Sequence, residues 1–326
     1  MDELKAHDRG LIRAHLLAQP SSVKLTWEDV TNWDKSMGPL WIHLDRTDDF
    51  VEQWLRTNSD IEPAVVNSLL KDDTRPRFSE VGEDELLIIV KGVNLNLEES
   101  PEEMISLRIW TDGNRLISLG FRPLKSVAAV GSLIASGKGP TTIDDLLLQM
   151  IKNLDIRIEP IVYELSKQLD DFESGEIIKG EPDEFLLHEL QSKASAFKRH
   201  LAPQRDVLHR MRQTNNELLK KQRSHWRELF FSLEVYVEEL TEVNERIAIL
   251  NDAKNQQLLT QTNQTMYMLS IVAAIFLPLS FLTGLLGINV GGIPGVENPY
   301  AFIIICIIAV IIGIAEVIYF KSKKWL

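Results

Sequence analysis

Met266-Tyr-Met-Leu-Ser-Ile-Val-Ala-Ala-Ile-Phe-Leu-Pro-Leu-Ser-Phe-Leu-Thr-Gly-Leu-Leu-Gly-Ile-Asn289 decides the fold. Residues 266–286 carry no charged side chain. Residues 300–320 form a second apolar run, broken only by Glu316. Each is about 20 residues, the length that a helix rising ~1.5 Å per residue needs to cross a ~30 Å hydrocarbon core. The segment between them, 290–299, is too rich in Gly and Pro to remain helical. The pattern predicts a two-span hairpin with spans at about 266–286 and 300–320 and an outer loop at 287–299.

The flanks give the orientation. Lys321, Lys323 and Lys324 follow the second span, and the loop holds no Lys or Arg. The bias of basic residues toward the cytoplasm therefore places the loop outside and both termini inside. The first residues lack the basic start and apolar stretch of a signal peptide. Cys306 is the one cysteine, so no intrachain disulfide is expected.

Charge narrows the partners. The chain has 47 acidic and 35 Lys or Arg residues, a net of −12. From residue 266 onward two acids face three lysines, so the preceding part carries the whole excess of acid. Such a balance argues against nucleic acid, which needs a basic face, and against broad docking on anionic lipid.

Residues 1–140 read as a cytoplasmic α+β domain. Strands are expected at 11–18, 39–45, 77–81, 85–95, 104–110 and 115–119. Asp112-Gly113-Asn114 supplies a tight hairpin turn. Thr47 or Asp48 caps a helix over 50–55, and Pro63 opens another that ends near Leu70. From residue 123 the period turns helical. After a short helix at 124–134, one helix is expected from 143 to about 172, kinked at Pro160, and another from 184 to about 211, interrupted or bent at Pro203. Residues 141–265 thus form long cytoplasmic helices. Leu229, Leu233, Tyr236, Leu240, Val243, Ile247 and Leu250 repeat at 4-3-4-3-4-3, a heptad seam. No Gly or Pro interrupts 224–263, so a single helix of ~90 Å is predicted from 224 to 286, kinked only at Pro278.

Two spans cannot enclose a water-filled path. A conducting protein of this kind needs several copies in closed cyclic symmetry, each giving a helix to a shared axis. Stepping back from the loop gives Gly284, Ser280, Leu277, Ala273, Ser270, Met266 and Asn263, a small, polar or unbranched stripe. Neighbouring positions carry Ile271, Ile275, Phe276, Leu279, Phe281 and Leu282. The stripe is a pore lining or a helix-packing face.

These parts, in this order, resemble the CorA superfamily of divalent-cation transporters. That family has a cytoplasmic α/β domain, a very long helix entering the membrane, a Gly-x-Asn signature, a short outer loop, a second span and a basic tail. Most members read Gly-Met-Asn; here it is Gly287-Ile288-Asn289. The loop 291–295 and Leu40-Trp-Ile-His-Leu-Asp45 are closer to the ZntB-like branch, associated with zinc. The resemblance implies a homo-oligomeric, pentameric funnel in the bilayer of the inner membrane, carrying divalent metal ions with no prosthetic group. It implies that Asn289 forms the outer ring receiving the hydrated ion, with an amide oxygen as a neutral hard donor. Gly287 would turn carbonyls to the axis, Met266 and Leu277 would narrow the pore, and Asn263 and Asp252 would form polar and acidic rings at the inner end. Glu297 is the loop's sole acid, a further candidate metal residue. Ile288 and the absence of an acidic loop depart from the magnesium pattern, which favours Zn2+ over a Mg2+/Co2+ channel.

The histidines at 7, 15, 43, 188, 200, 209 and 225 form no zinc spacing; His188-Glu189 and the pair His209 and His225 are weak candidates. Glu316 is the one acid in either span, where proton coupling would need a titratable group. No phosphate loop, nucleophile elbow or hydrolase motif appears, so an enzyme is not expected. A non-transporting, membrane-anchored coiled coil or sensor remains the alternative class.

Overall fold

The computed structural model describes residues 8–17, 24–72, 74–82, 84–175, 183–288, 295 and 298–323. It divides into two compact units, Met1–Ile247 and Ala248–Leu326.

The first unit is built on a six-stranded sheet. Its strands are β1 (Leu11–Leu16), β2 (Leu40–Asp45), β3 (Arg77–Glu80), β4 (Leu86–Gly92), β5 (Ile105–Thr111) and β6 (Arg115–Gly120). Their order is β1-β2-β6-β5-β4-β3, with β2 and β6 parallel and all other neighbours antiparallel. β4 is buried along its whole length, which explains its unbroken apolar run 86–90. Asp112-Gly113-Asn114 turns β5 into β6, with Gly113 at φ 80°, a conformation that side chains with a Cβ resist. At Gly92 an added Cβ would stand 2.5 Å from Leu154 Cδ2, so the strand end and the helix above it meet only because that position is bare.

Helices form where the sequence caps them. α1 (Trp27–Thr31) follows Thr26, whose hydroxyl and Asp29 make a reciprocal capping box. Asp48 caps α2 (Asp49–Thr57) by accepting from the Phe50 N–H at 2.9 Å. Pro63 opens α3 (Pro63–Leu70). α1, α2 and α3 bury Trp27, Val51, Trp54, Val66 and Leu69 with β1, β2 and β6 residues in one core. α4 (Lys125–Ala135) packs against α5 (Ile143–Asp155), which Thr142 caps. α6 (Glu159–Glu173) packs against α7 (Asp183–Gln213), which also lies on β3 and β4.

Two expectations change. The helix foreseen over 143–172 is two helices: α5 ends at Asp155, and Pro160 sits in the first turn of α6. A proline can kink a helix or start one, and the residues between Asp155 and Glu159 choose the second. Apolar positions over 184–211 look sparse and suggest a helix on the outside of a bundle, yet in α7 Leu187, Leu190, Ala194, Phe197, Leu201, Leu208 and Met211 are all buried, a full core-facing stripe. Small Ala194 and polar Gln204, both buried at the same 3-4 spacing, disguise it. α1 and the short α8 (Glu217–Lys220) were not foreseen.

α9 (Arg223–Leu286) is a single helix of 64 residues, as the sequence predicts. Within the first unit its seam residues Leu229, Leu233, Tyr236, Leu240, Val243 and Ile247 are buried by the protomer's own chain; Leu250, in the second unit, is half-buried. Arg246 fastens this part of α9 to α6 through Asp170 at 2.6 Å and Glu173 at 2.5 Å. α10 (Ala301–Ser322) completes the second unit.

Candidate ion pathway

In the second unit, α9 and α10 are both long and apolar enough to cross a membrane. Both leave large hydrophobic side chains uncovered, among them Leu269, Phe276, Phe281, Ile303 and Ile314. Water would not tolerate so much contiguous apolar surface, whereas lipid would.

The pattern of partial burial along these helices is ordered. On α9 the half-buried residues are Ile271, Ile275, Leu279, Leu282 and Leu286, one face at helical spacing. On α10 they are Ala301, Ile305, Ala309, Ile312, Gly313 and Glu316, followed by buried Phe320. The two faces meet: Leu279 Cδ1 lies 4.0 Å from where Gly313 would carry a Cβ. Small residues at 301, 309 and 313 give room for that approach.

At 100° per residue, the stripe of Asn263, Met266, Ser270, Ala273, Leu277, Ser280 and Gly284 falls on the opposite side of α9. All seven are exposed, Leu277 at 70%. Ser270 Oγ donates back to Met266 O at 2.9 Å, so its hydroxyl is satisfied within the helix while its lone pairs stay open. Thr283 does the same toward Leu279 O at 3.0 Å. Gly287 closes the helix, its N–H donating to Thr283 O at 3.0 Å, and Ile288 is half-exposed just beyond. Asn289 and Glu297 lie outside the described residues. Asp252 is exposed on α9. Glu316 is half-buried, and its Oε2 has no hydrogen-bond partner.

The histidines are not gathered into a metal centre. Among the described residues no group of three or more His, Cys, Asp or Glu side chains is placed to hold an ion. Glu189 pairs with Lys193 instead of joining His188. His209 contacts Arg212 and Gln213, and His225 contacts Gln222, so that pair is spent separately. His15 and His43 are buried in the sheet: His43 Nδ1 lies 2.9 Å from Ser118 Oγ, which also accepts from Trp41 Nε1 at 2.9 Å. Burial, with Arg13 and Lys24 adding repulsion, pulls His15 down to about 4, so it is neutral at physiological pH.

One titratable group escaped the sequence entirely. Asp155, the last residue of α5, is buried against a cavity of about 170 Å³ shared with Glu159, Glu228 and Tyr236. Its Oδ1 has no partner. Burial first, then the charges of Glu159 and Glu228, push its carboxyl up to about 7. Nothing in the local sequence distinguishes Asp155 from the exposed acids around it.

Comparison with known proteins gives the arrangement its context. Residues 36–323 match the family model described as CorA-like Mg2+ transporter protein. The divalent cation transporter CmaX of Pseudomonas aeruginosa is 36% identical over 292 residues, covering 88% of this chain and 87% of its own. The zinc transport protein ZntB of Vibrio parahaemolyticus is 30% identical over 302 residues, covering 92% and 93%. The solved structure of full-length CmaX superposes with a TM-score of 0.81 at 33% identity, covering 98% of this chain and 100% of that one.

Proposed function

Because this chain belongs to the CorA-like family of divalent-cation transporters, we propose that it carries a divalent metal cation, Zn2+ ahead of Mg2+, across the cytoplasmic membrane along the axis of a homo-oligomer. The observation that carries this reading is the division of α9 into two faces. Apolar Ile271, Ile275, Leu279, Leu282 and Leu286 are used against α10, and the small or polar stripe from Asn263 to Gly284 is left uncovered. A face of small and hydroxyl-bearing residues lets helices of other copies approach closely and leaves oxygens to face a shared wet axis.

In this scheme the assembly is a pentamer, multi-pass, with both termini in the cytoplasm and the loop 287–299 outside. Asn289 forms the receiving ring, Met266 and Leu277 form apolar rings that gate by excluding water, and Asn263 and Asp252 guard the inner mouth. The ion crosses largely hydrated, which accords with a pathway offering amide and hydroxyl oxygens rather than the Cys and His that would hold zinc tightly. Nearly full-length similarity to ZntB and the departure from Gly-Met-Asn at Ile288 favour zinc. A membrane potential supplies ~2.3 kcal/mol per charge per 100 mV, enough to drive a cation inward without further coupling. Half-buried Glu316 is the residue in the spans that a proton-coupled cycle would use.

The test is paired Zn2+ and Mg2+ flux into liposomes, with and without a pH gradient, for wild type and Asn289→Ala. Wild type should favour Zn2+, and Asn289→Ala should lose most flux of both metals at equal incorporation. Unchanged flux in the variant removes Asn289 from the pathway; Mg2+-dominant wild-type flux removes the zinc assignment and leaves the transporter.

A further inference from the structure

The chain is acidic overall, yet one cavity of its first unit gathers cations. This cavity, of about 520 Å³, is lined by Arg46, Lys91, Arg108, Arg122 and Arg199, with Phe121 among them. They come from five places: the end of β2, β4, β5, the segment after β6, and α7. Arg46 and Phe121 follow the carboxyl ends of β2 and β6, the parallel pair of the sheet, where Arg46 N–H donates to Gly120 O at 2.9 Å. Carboxyl ends of parallel strands are where open sheets collect small ligands.

The hydrogen bonding of the two inner arginines is incomplete. Arg108 is 2% exposed, and only its Nη2 is used, donating to Lys71 O at 2.7 Å and Asp72 O at 3.1 Å. Its Nε and Nη1 are buried with no acceptor, and so is Nε of Arg46. Leaving charged donors buried and unmatched is costly, and such groups are normally paired or bound to a ligand. Burial first, then Arg46, lowers Arg108 to about 10, which still leaves it cationic at neutral pH.

The outer arginines frame the mouth. Arg46 and Arg122 both lie over the half-exposed Phe121 ring, at 5.5 and 5.7 Å from its centre. Arg46 pairs with Asp72 at 2.9 Å, and Arg122 with Glu99 at 3.1 Å and Glu103 at 3.4 Å. Arg199 is exposed. Five cations face the carboxylates Asp72, Glu99, Glu102 and Glu103, an excess of one positive charge. A phosphate group brings the negative charge that this excess lacks, and its oxygens match the planar guanidinium fork.

We propose that this cavity binds a phosphate-bearing small molecule, its phosphate held by Arg46 and Arg108 within and by Arg122 and Arg199 at the mouth. The cavity is larger than one phosphate needs, so the ligand extends beyond it, and Phe121 offers a flat apolar surface to that extension. This site concerns the first unit alone and does not depend on which metal is carried.

The test is calorimetric titration of the metal-free, full-length protein in detergent at constant chloride. The probes are inorganic phosphate, pyrophosphate and adenosine monophosphate, which separate a free phosphate from an esterified one. Saturable binding of at least one probe at one per protomer is expected. Arg122→Ala combined with Arg199→Ala, both at the surface, should weaken it at least ~tenfold, as the loss of charge-assisted hydrogen bonds predicts. Arg108→Met should abolish it, with the melting transition confirming that the variant is folded. Glu102→Gln should tighten it. No saturable heat with any of the three probes overturns the proposal, and so does unchanged affinity in the Arg122 and Arg199 double variant.

Discussion

Replacing Asp155 by Asn should make the protein more stable at pH 8 and remove the part of its pH dependence that Asp155 supplies. The carboxyl titrates near 3.8 when solvated and at about 7 in the fold. Between those values the folded chain keeps the proton and the unfolded chain has released it. Stability from Asp155 is therefore fully present below pH 3.8 and is lost as pH rises through 7. The interval is about three pH units at ~1.4 kcal/mol each, so ionising Asp155 costs the fold at most ~4 kcal/mol above pH 7. In a unit of this size that is a ceiling of roughly 8–16 °C in melting temperature. Asn removes the charge and keeps the shape. The assay is the melting of wild type and Asp155→Asn, followed by tryptophan fluorescence at fixed scan rate from pH 5 to pH 8. The difference between the two should grow in favour of the variant as pH rises toward about 7 and level off above it. Parallel curves across this range would refute the burial argument, because every other titrating group is common to both proteins.

His15 works in the opposite sense: its depressed value means that stability is lost as pH falls from about 6.5 toward 4, so His15→Gln should flatten the acid side of the same melting curve. Leu240, fully buried in the seam, should cost about 2–5 kcal/mol when cut to Ala, read as lower melting of the protomer even under conditions that dissociate the assembly. Leu277→Ser should leave melting nearly unchanged, because the side chain is 70% exposed in the protomer, and should raise divalent leak in liposomes; loss of stability without leak would remove Leu277 from the axis.

The sequence disclosed what depends on neighbours in the chain. Asp48, Pro63 and Thr142 mark helix starts by chemistry confined to one turn, and the hairpin at Gly113 is equally local. The seam from Leu229 to Ile247 and the two-faced pattern of α9 are periodic, so they too could be read in one dimension. Pro160 could not, because a proline between two helices looks like a proline within one. Thr26-x-x-Asp29 is a local cap signal, but the helix after it has only five residues, too few for an apolar period to show beside it. The basic cavity was invisible for a different reason. Its residues come from segments up to about 150 positions apart, and only the pairing of β2 with β6 and the laying of α7 across β4 bring them together.

The stretch of α9 between its buried seam and its apolar run has a separate consequence. From Asn255 to Thr265 every residue is exposed, and Thr260, Thr262 and Thr265 can do no more than bond back to their own helix at 2.9, 2.9 and 3.0 Å. An isolated segment of that length and composition is marginal as a helix in water. Its order must come from what stands at its two ends and beside it. During synthesis, then, the first unit can close on its own core, whereas this segment stays able to fray until the proposed homo-oligomer forms around it. Its amide hydrogens should exchange quickly in a lone protomer and slowly in the finished assembly, making it the part of the chain that registers whether assembly has taken place.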